Sequence, residues 1–209
     1  MNLLVFGATG GTGRQTVIQA LSQGHTVTAF VRGAHGFEGA DTRLRIVTGD
    51  ATRDAAVIAR ALEGQDAVVS ALGRRKSLKS EHLIAQSMRL IAAAMERSQV
   101  RRLVVVSAFG VGATLNDAPF ASRLVYRMLL KDLFADKEAG DSHVRRSPLE
   151  WTLVYPVHLT NGPITGRYRV GERLELRGIP KVSRADVAHF ILREIEERAF
   201  LRKTAVISN

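Results

Sequence analysis

Cysteine is absent from the 209 residues. That removes disulfide staples, thiolate metal sites and a cysteine nucleophile together, and it fits a reducing compartment. Proline is sparse, at 5 residues, and aromatic side chains make up 6%. Neither a disordered chain nor an aromatic-studded RNA-binding surface is in prospect. No apolar run approaches the ~20 residues of a membrane span. The opening residues, Met1 to Gly7, lack the basic start and the apolar length of a secretion signal. The expectation is a cytoplasmic protein with no membrane partner and no metal site.

What is present is a globular composition, 45% hydrophobic and 24% charged, at a length that suits one domain with a real core. The charge is less ordinary: +10 formally, with a pI near 10.8. Such a balance favours anionic partners. The basic residues are spread along the whole chain with no zinc finger or aromatic RNA-binding motif among them, so nucleic acid is not expected. A basic surface around an anion-binding cleft, serving a small anionic substrate, is the reading adopted. Nothing in the sequence fixes an oligomeric state, and a monomer is favoured.

Strands and helices alternate from the first residues. Residues 3–6 form a short apolar run ending in glycine, as a buried parallel strand does. Residues 26–31, 44–48, 67–70, 103–106 and 151–154 repeat that pattern. Between them, helices are expected with Val17, Ala20, Leu21 and Gly24 on one face, over 56–62, over 81–98 with Ile84, Met88, Ile91 and Met95 inward, and over about 119–146 with Asp117 as cap. The tail differs. Residues 168–176 read as a short hairpin or extended flap, Ser183 caps a helix with Val187, Phe190, Ile191 and Ile195 inward, and residues 205–207 end the chain as a strand. Strands joined by such helices imply right-handed crossovers and an α/β, doubly wound parallel sheet: a Rossmann fold, in one domain over 1–209 with a substrate-side flap at about 160–180.

Gly7-Ala8-Thr9-Gly10-Gly11-Thr12-Gly13 follows the first strand and opens the first helix. Gly7 permits the tight turn, Gly10 lets the backbone approach a diphosphate, and Gly13 lets helix and strand pack closely. Free amides at the helix start then hold the anion. Gly7, Thr9, Gly10, Gly11, Thr12 and Gly13 are the candidate cofactor loop. Arg32 ends the second strand, where an NAD enzyme carries an acid for the ribose 2′-hydroxyl; an arginine there suits a 2′-phosphate, favouring NADPH over NADH. His35 lies nearby as a weak second basic group. Asp50, after the third strand, is a candidate for the adenine amino group or for a structural turn.

Ligands of this fold lie across the carboxyl ends of the strands. The relevant loops are Ala71-Leu72-Gly73, Ser107-Ala108-Phe109 and Pro156-Val157-His158. The glycine spacing resembles the short-chain dehydrogenase/reductase superfamily, whose usual acid is a tyrosine with a lysine four positions later. Tyr126 has Leu130 there and Lys131 one residue out of step, a slip of ~100° around a helix, so that mechanism is not expected. The strand-end motifs, together with Pro163-Ile164-Thr165-Gly166-Arg167-Tyr168 and Val182-Ser183-Arg184-Ala185-Asp186-Val187-Ala188-His189-Phe190, resemble the atypical NADPH-dependent flavin reductase/biliverdin reductase B group over essentially the whole chain. The resemblance implies catalytic roles for Ser107 and His158 beside the nicotinamide, and a ribose contact or plain solvation for Lys137. Val157 departs from the second proline that the group often has, and the segment 107–137 is only loosely similar. The basic run Gly73-Arg74-Arg75-Lys76-Ser77-Leu78-Lys79 would attract anionic substrate groups or simply be solvated.

The function expected is an NAD(P)H-dependent oxidoreductase passing hydride from NADPH to a planar conjugated acceptor, flavin or bilin-like, which needs less acid assistance than an isolated ketone. A non-catalytic NmrA-like NAD(P) sensor is the alternative, since fold alone does not choose between them. A sugar-nucleotide epimerase fits less well, given the displaced lysine and the short substrate region.

Overall fold

After its first residue, β1 (Asn2–Phe6) is apolar throughout and buried from Leu3 to Phe6, as a strand covered on both faces must be. A computed structural model describes residues 1–33, 41–73, 82–117, 130–176 and 178–209. Around β1 the chain sets α1 (Gly11–Ser22), β2 (Thr26–Val31), β3 (Leu44–Thr48), α2 (Ala55–Leu62), β4 (Ala67–Ser70), α3 (Leu83–Glu96) and β5 (Arg102–Val106). A 3-10 turn (Gly112–Asp117) precedes α4 (Lys131–Arg146) and β6 (Glu150–Pro156). The tail carries β7 (His158–Thr160), β8 (Arg169–Gly171), β9 (Lys181–Ser183), α5 (Arg184–Glu197) and β10 (Lys203–Ser208).

The main sheet has eight strands in the order β3-β2-β1-β4-β5-β6-β10-β8, parallel except for β8. The order reverses direction at β1, whose two neighbours are β2 and β4. At such a switch point the loops diverge and leave a crevice at the carboxyl ends. This is a Rossmann-like α/β fold with a single core. Leu4, Val5, Val68, Val104, Leu153 and Ala205, one or two from each central strand, have no appreciable exposure.

Helices cover both faces. On α3 the residues Ile84, Met88, Ile91 and Met95 are buried, as their spacing predicts. Asp136 of α4 accepts from the main-chain N–H groups of Ile84 at 3.0 Å and Ala85 at 2.9 Å, so α4 caps the start of α3. The cap of α5 is local: Ser183 Oγ accepts from Asp186 N at 2.9 Å. Val187, Phe190, Ile191 and Ile195 then face inward.

The structure departs from the sequence reading in three ways. Gly24 is not on a helix face; it follows α1 with a φ of +86°, the left-handed turn that glycine favours. The stretch 168–176 does not pair with itself as a hairpin; β8 joins the main sheet, antiparallel to β10. A second, two-stranded parallel sheet, β7 with β9, was not expected. Three-residue strands lie below the length at which alternation can be recognised. The long helix expected over 119–146 is observed from Lys131 to Arg146. Its first part, with Tyr126, lies outside the described residues, as do His35 and the basic run from Arg74 to Lys79.

Candidate functional site

The glycine loop lies where β1 passes into α1. Gly7 has a φ of +74°, and a Cβ on it would stand 2.5 Å from Ala71 O at the end of β4. Both the backbone angle and the space therefore require glycine. A Cβ on Gly13 would overlap Gly7 O, which explains the close approach of helix to strand. Gly10 is the N-cap of α1, and no side chain caps the helix; its first turn contains no acidic residue. The opening amides of α1 are thus left for an anion from outside the chain. Gly10, Gly11 and Thr12 belong to this turn, with Thr9 exposed just before it.

Arg32 is exposed directly after β2, near enough to Asp50 to help hold that carboxyl low. Asp50 itself is committed to its own turn. Its Oδ1 accepts from Thr52 N at 2.9 Å and from Thr52 Oγ1 at 2.7 Å, and these bonds are the main reason its pKa falls. Ala71, Leu72 and Gly73 follow β4, half-buried and then exposed, with Ala71 N bonded to Phe6 O at 2.9 Å. They form the wall against which the glycine loop turns.

A buried polar cluster occupies the ends of β5 and β6. Ser107 N donates to Val154 O at 2.8 Å, binding the two strand ends together. Ser107 Oγ donates to Asp141 Oδ2 at 2.6 Å, and the Tyr155 hydroxyl donates to the same oxygen at 2.7 Å. Arg145 donates to the Tyr155 oxygen at 2.7 Å and to Glu138 Oε1 at 3.0 Å. Asp141 is fully buried, and its Oδ1 has no hydrogen-bond partner among the described residues. Burial pushes its carboxyl above the usual range, against the hydroxyls of Ser107 and Tyr155 and the charges of Lys137 and Arg145. Lys137 sits one turn earlier on α4. Burial pulls its ammonium down, while Asp141 and Asp136 oppose that shift. Burial and then the Asp141 charge push the Tyr155 phenol up.

His158 is exposed on β7, just past the end of β6, opposite Lys181 of β9. The segment after β7 is anchored by Asp186, whose carboxylate accepts from Thr165 N (2.7 Å), Thr165 Oγ1 (2.9 Å) and Gly166 N (2.9 Å). Burial works to raise that carboxyl, but these bonds and the Ser183 hydroxyl together hold it low. Sequence reasoning missed Asp141 as the partner of Ser107, and Tyr155 as the second donor to that carboxylate. The available signal was the four-residue spacing of Lys137 and Asp141, which sets both on one helix face. Among the described residues, no group of three His, Asp or Glu side chains is placed to hold a metal, and no helix is long and apolar enough to cross a membrane.

A parallel sheet that reverses at β1, with an uncapped glycine turn at that reversal, defines a dinucleotide-binding protein of Rossmann type. A profile of the NAD(P)H-binding family matches residues 7–198, and the chain belongs to that family. Its relatives include the uncharacterized protein YwnB of Bacillus subtilis, 26% identical over 206 residues, with 94% of this chain and 92% of YwnB covered. Among solved structures, ChuY of Escherichia coli O157:H7, described as an anaerobilin reductase, superposes with a TM-score of 0.81 at 24% identity, covering 99% of this chain and 96% of ChuY. A short-chain dehydrogenase/reductase (wide type) of Veillonella parvula, in complex with NADP, gives a TM-score of 0.81 at 18% identity over 100% of this chain and 94% of the other. At those identities the two structures share the fold. Family and fold agree with the resemblance to atypical, biliverdin reductase B-like short-chain dehydrogenases/reductases.

Proposed function

We propose that the chain is an NADPH-dependent reductase that passes hydride to a planar, conjugated and anionic acceptor, a flavin or a bilin. The observation that carries this reading is the buried Asp141 carboxyl bonded to Ser107 at the carboxyl end of β5. Dinucleotide-binding folds of this order do their chemistry at those strand ends, and buried titratable groups in a cleft mark functional sites. The description of ChuY as an anaerobilin reductase supports the same class of acceptor.

In this reading the amides of Gly7, Thr9, Gly10, Gly11, Thr12 and Gly13 hold the diphosphate, and Arg32 binds the 2′-phosphate. Asp50 faces the adenine, Ala71, Leu72 and Gly73 line the middle of the dinucleotide, and Lys137 reaches the ribose. The bound nicotinamide supplies the hydride, so the acceptor gains two electrons and one proton while NADPH is oxidised. Ser107 and His158 flank the reacting rings. With Asp141 ionised, Ser107 spends its only proton on that carboxylate and presents lone pairs to the ligand. Protonation of Asp141 on Oδ2 would reverse the bond and free the Ser107 proton for the ligand. His158, exposed on β7, delivers the proton from the solvent side.

The test is oxidation of NADPH and NADH by the purified protein against flavins, quinones and bilins. A flavin or bilin is expected to be reduced, faster with NADPH than with NADH. Tight dinucleotide binding with no acceptor reduced would replace this reading with that of a non-catalytic sensor.

A further inference from the structure

Arg184, the first residue of α5, lies across the opening turn of α1. A Cβ built on Gly11 would stand 2.5 Å from Arg184 Cδ and 2.8 Å from its Nε. Gly11 is therefore the place where the guanidinium arm crosses the loop. The arm is held from the far side: its Nη1 donates to Asn161 Oδ1 at 2.7 Å and to Leu159 O at 3.4 Å. The helices that bring these residues together are tied independently, since Gln19 Nε2 of α1 donates to Ala185 O at 2.9 Å. Among the described residues no carboxylate pairs with Arg184.

Two features of this placement suit an anion. A cation beside the amino end of a helix meets the positive end of the helix dipole, and the first turn of α1 offers no acidic residue to offset it. An anion between the loop amides and the guanidinium satisfies both. Arg32 stands apart, after β2, and so serves a different phosphate.

We propose that Arg184 is a second clamp on the dinucleotide diphosphate, closing over the glycine loop from α5 while Arg32 reads the 2′-phosphate. The proposal rests on the reading that residues 7–13 bind a dinucleotide. It assigns Gly11 a role of its own, to make room for the clamp. Arg184 acts on the diphosphate, which NADPH, NADH and ADP-ribose share, so it sets affinity without selecting between the two cofactors.

The experiment is calorimetric titration of the full chain with NADPH, NADH and ADP-ribose, with no turnover needed. Arg184→Gln is expected to weaken all three by a similar factor, about ten- to a hundredfold, as befits loss of a charged hydrogen bond. Arg32→Glu is expected to weaken NADPH alone. Gly11→Ala is expected to lower affinity in the parent chain but to add little once Arg184→Ala has removed the Cδ and Nε that the new Cβ would meet. Arg184→Lys, which keeps the charge on a less matching head group, is expected to fall between parent and Gln for all three ligands, and it decides the matter if the Gln variant does not fold. Unchanged ADP-ribose affinity in a folded Arg184 variant would overturn the clamp, as would a loss confined to NADPH. A parent chain that binds none of the three ligands would instead remove the dinucleotide reading beneath it.

Discussion

Asp141 concentrates two hydroxyl donors on one oxygen, while its other oxygen is buried with no partner among the described residues. A carboxyl whose pKa is raised by folding is stabilising in its protonated form. The stability associated with it is full below the ordinary carboxylate range and is lost as pH climbs through the raised, folded value. Asp141→Asn keeps an oxygen for both hydroxyls and cannot ionise. Its melting temperature relative to the parent chain is therefore expected to rise as pH goes from 4 to 8, read by thermal unfolding at each pH. A difference that shrinks with pH would mean that Lys137, Ser107 and Tyr155 together outweigh burial. At this scale the sequence was legible where chemistry is local. The turn at Gly7 and the cap at Ser183 are written in adjacent residues, and both are observed. The partnership of Ser107 with Asp141 spans 34 positions, and Arg184 is farther still from Gly11. No spacing rule reaches across such gaps, because sheet order alone brings those residues together.

Between elements, one polar tie is fully buried. Arg102 of β5 pairs with Glu194 of α5 at 3.0 Å, with side-chain exposures of 2% and 1%. The same guanidinium donates to Glu150 O and Thr152 Oγ1, while Glu194 Oε1 also accepts from Phe200 N at 2.9 Å. The pair fastens the last helix to the middle of the sheet. Losing one partner strands a buried charge, so Arg102→Met is expected to cost about 3–5 kcal/mol. The double change with Glu194→Leu is expected to recover part of that loss. Denaturant midpoints of the single and double variants measure it, and equal losses in both would show that the stranded charge is not the cause. Strand identities read well from sequence because β1, β2 and β4 to β6 are apolar runs buried on both faces. Helix 83–96 read equally well from its period. The failures are the short strands of the tail, where β8 is recruited by a neighbour distant in sequence rather than by its own pattern.

For the molecule as a whole, one core links the glycine loop to the final strand. It is expected to melt in a single transition that moves as a unit on binding. NADPH at about a hundredfold excess over its Kd should add about 2.7 kcal/mol, a rise of roughly 5–10 °C for a domain of this size. Differential scanning calorimetry measures the shift. A second transition that stays in place would show that the tail sheet unfolds by itself.

The tie between α1 and α5 also sets a clock during biosynthesis. Gln19 and Ala185 are 166 residues apart, so at roughly 5–20 residues per second a ribosome completes the glycine turn some 10–30 s before its α5 counterpart emerges. Throughout that interval α1 waits without the helix that packs on it in the finished protein. It is during those seconds, rather than in the finished molecule, that a chaperone would find something to hold.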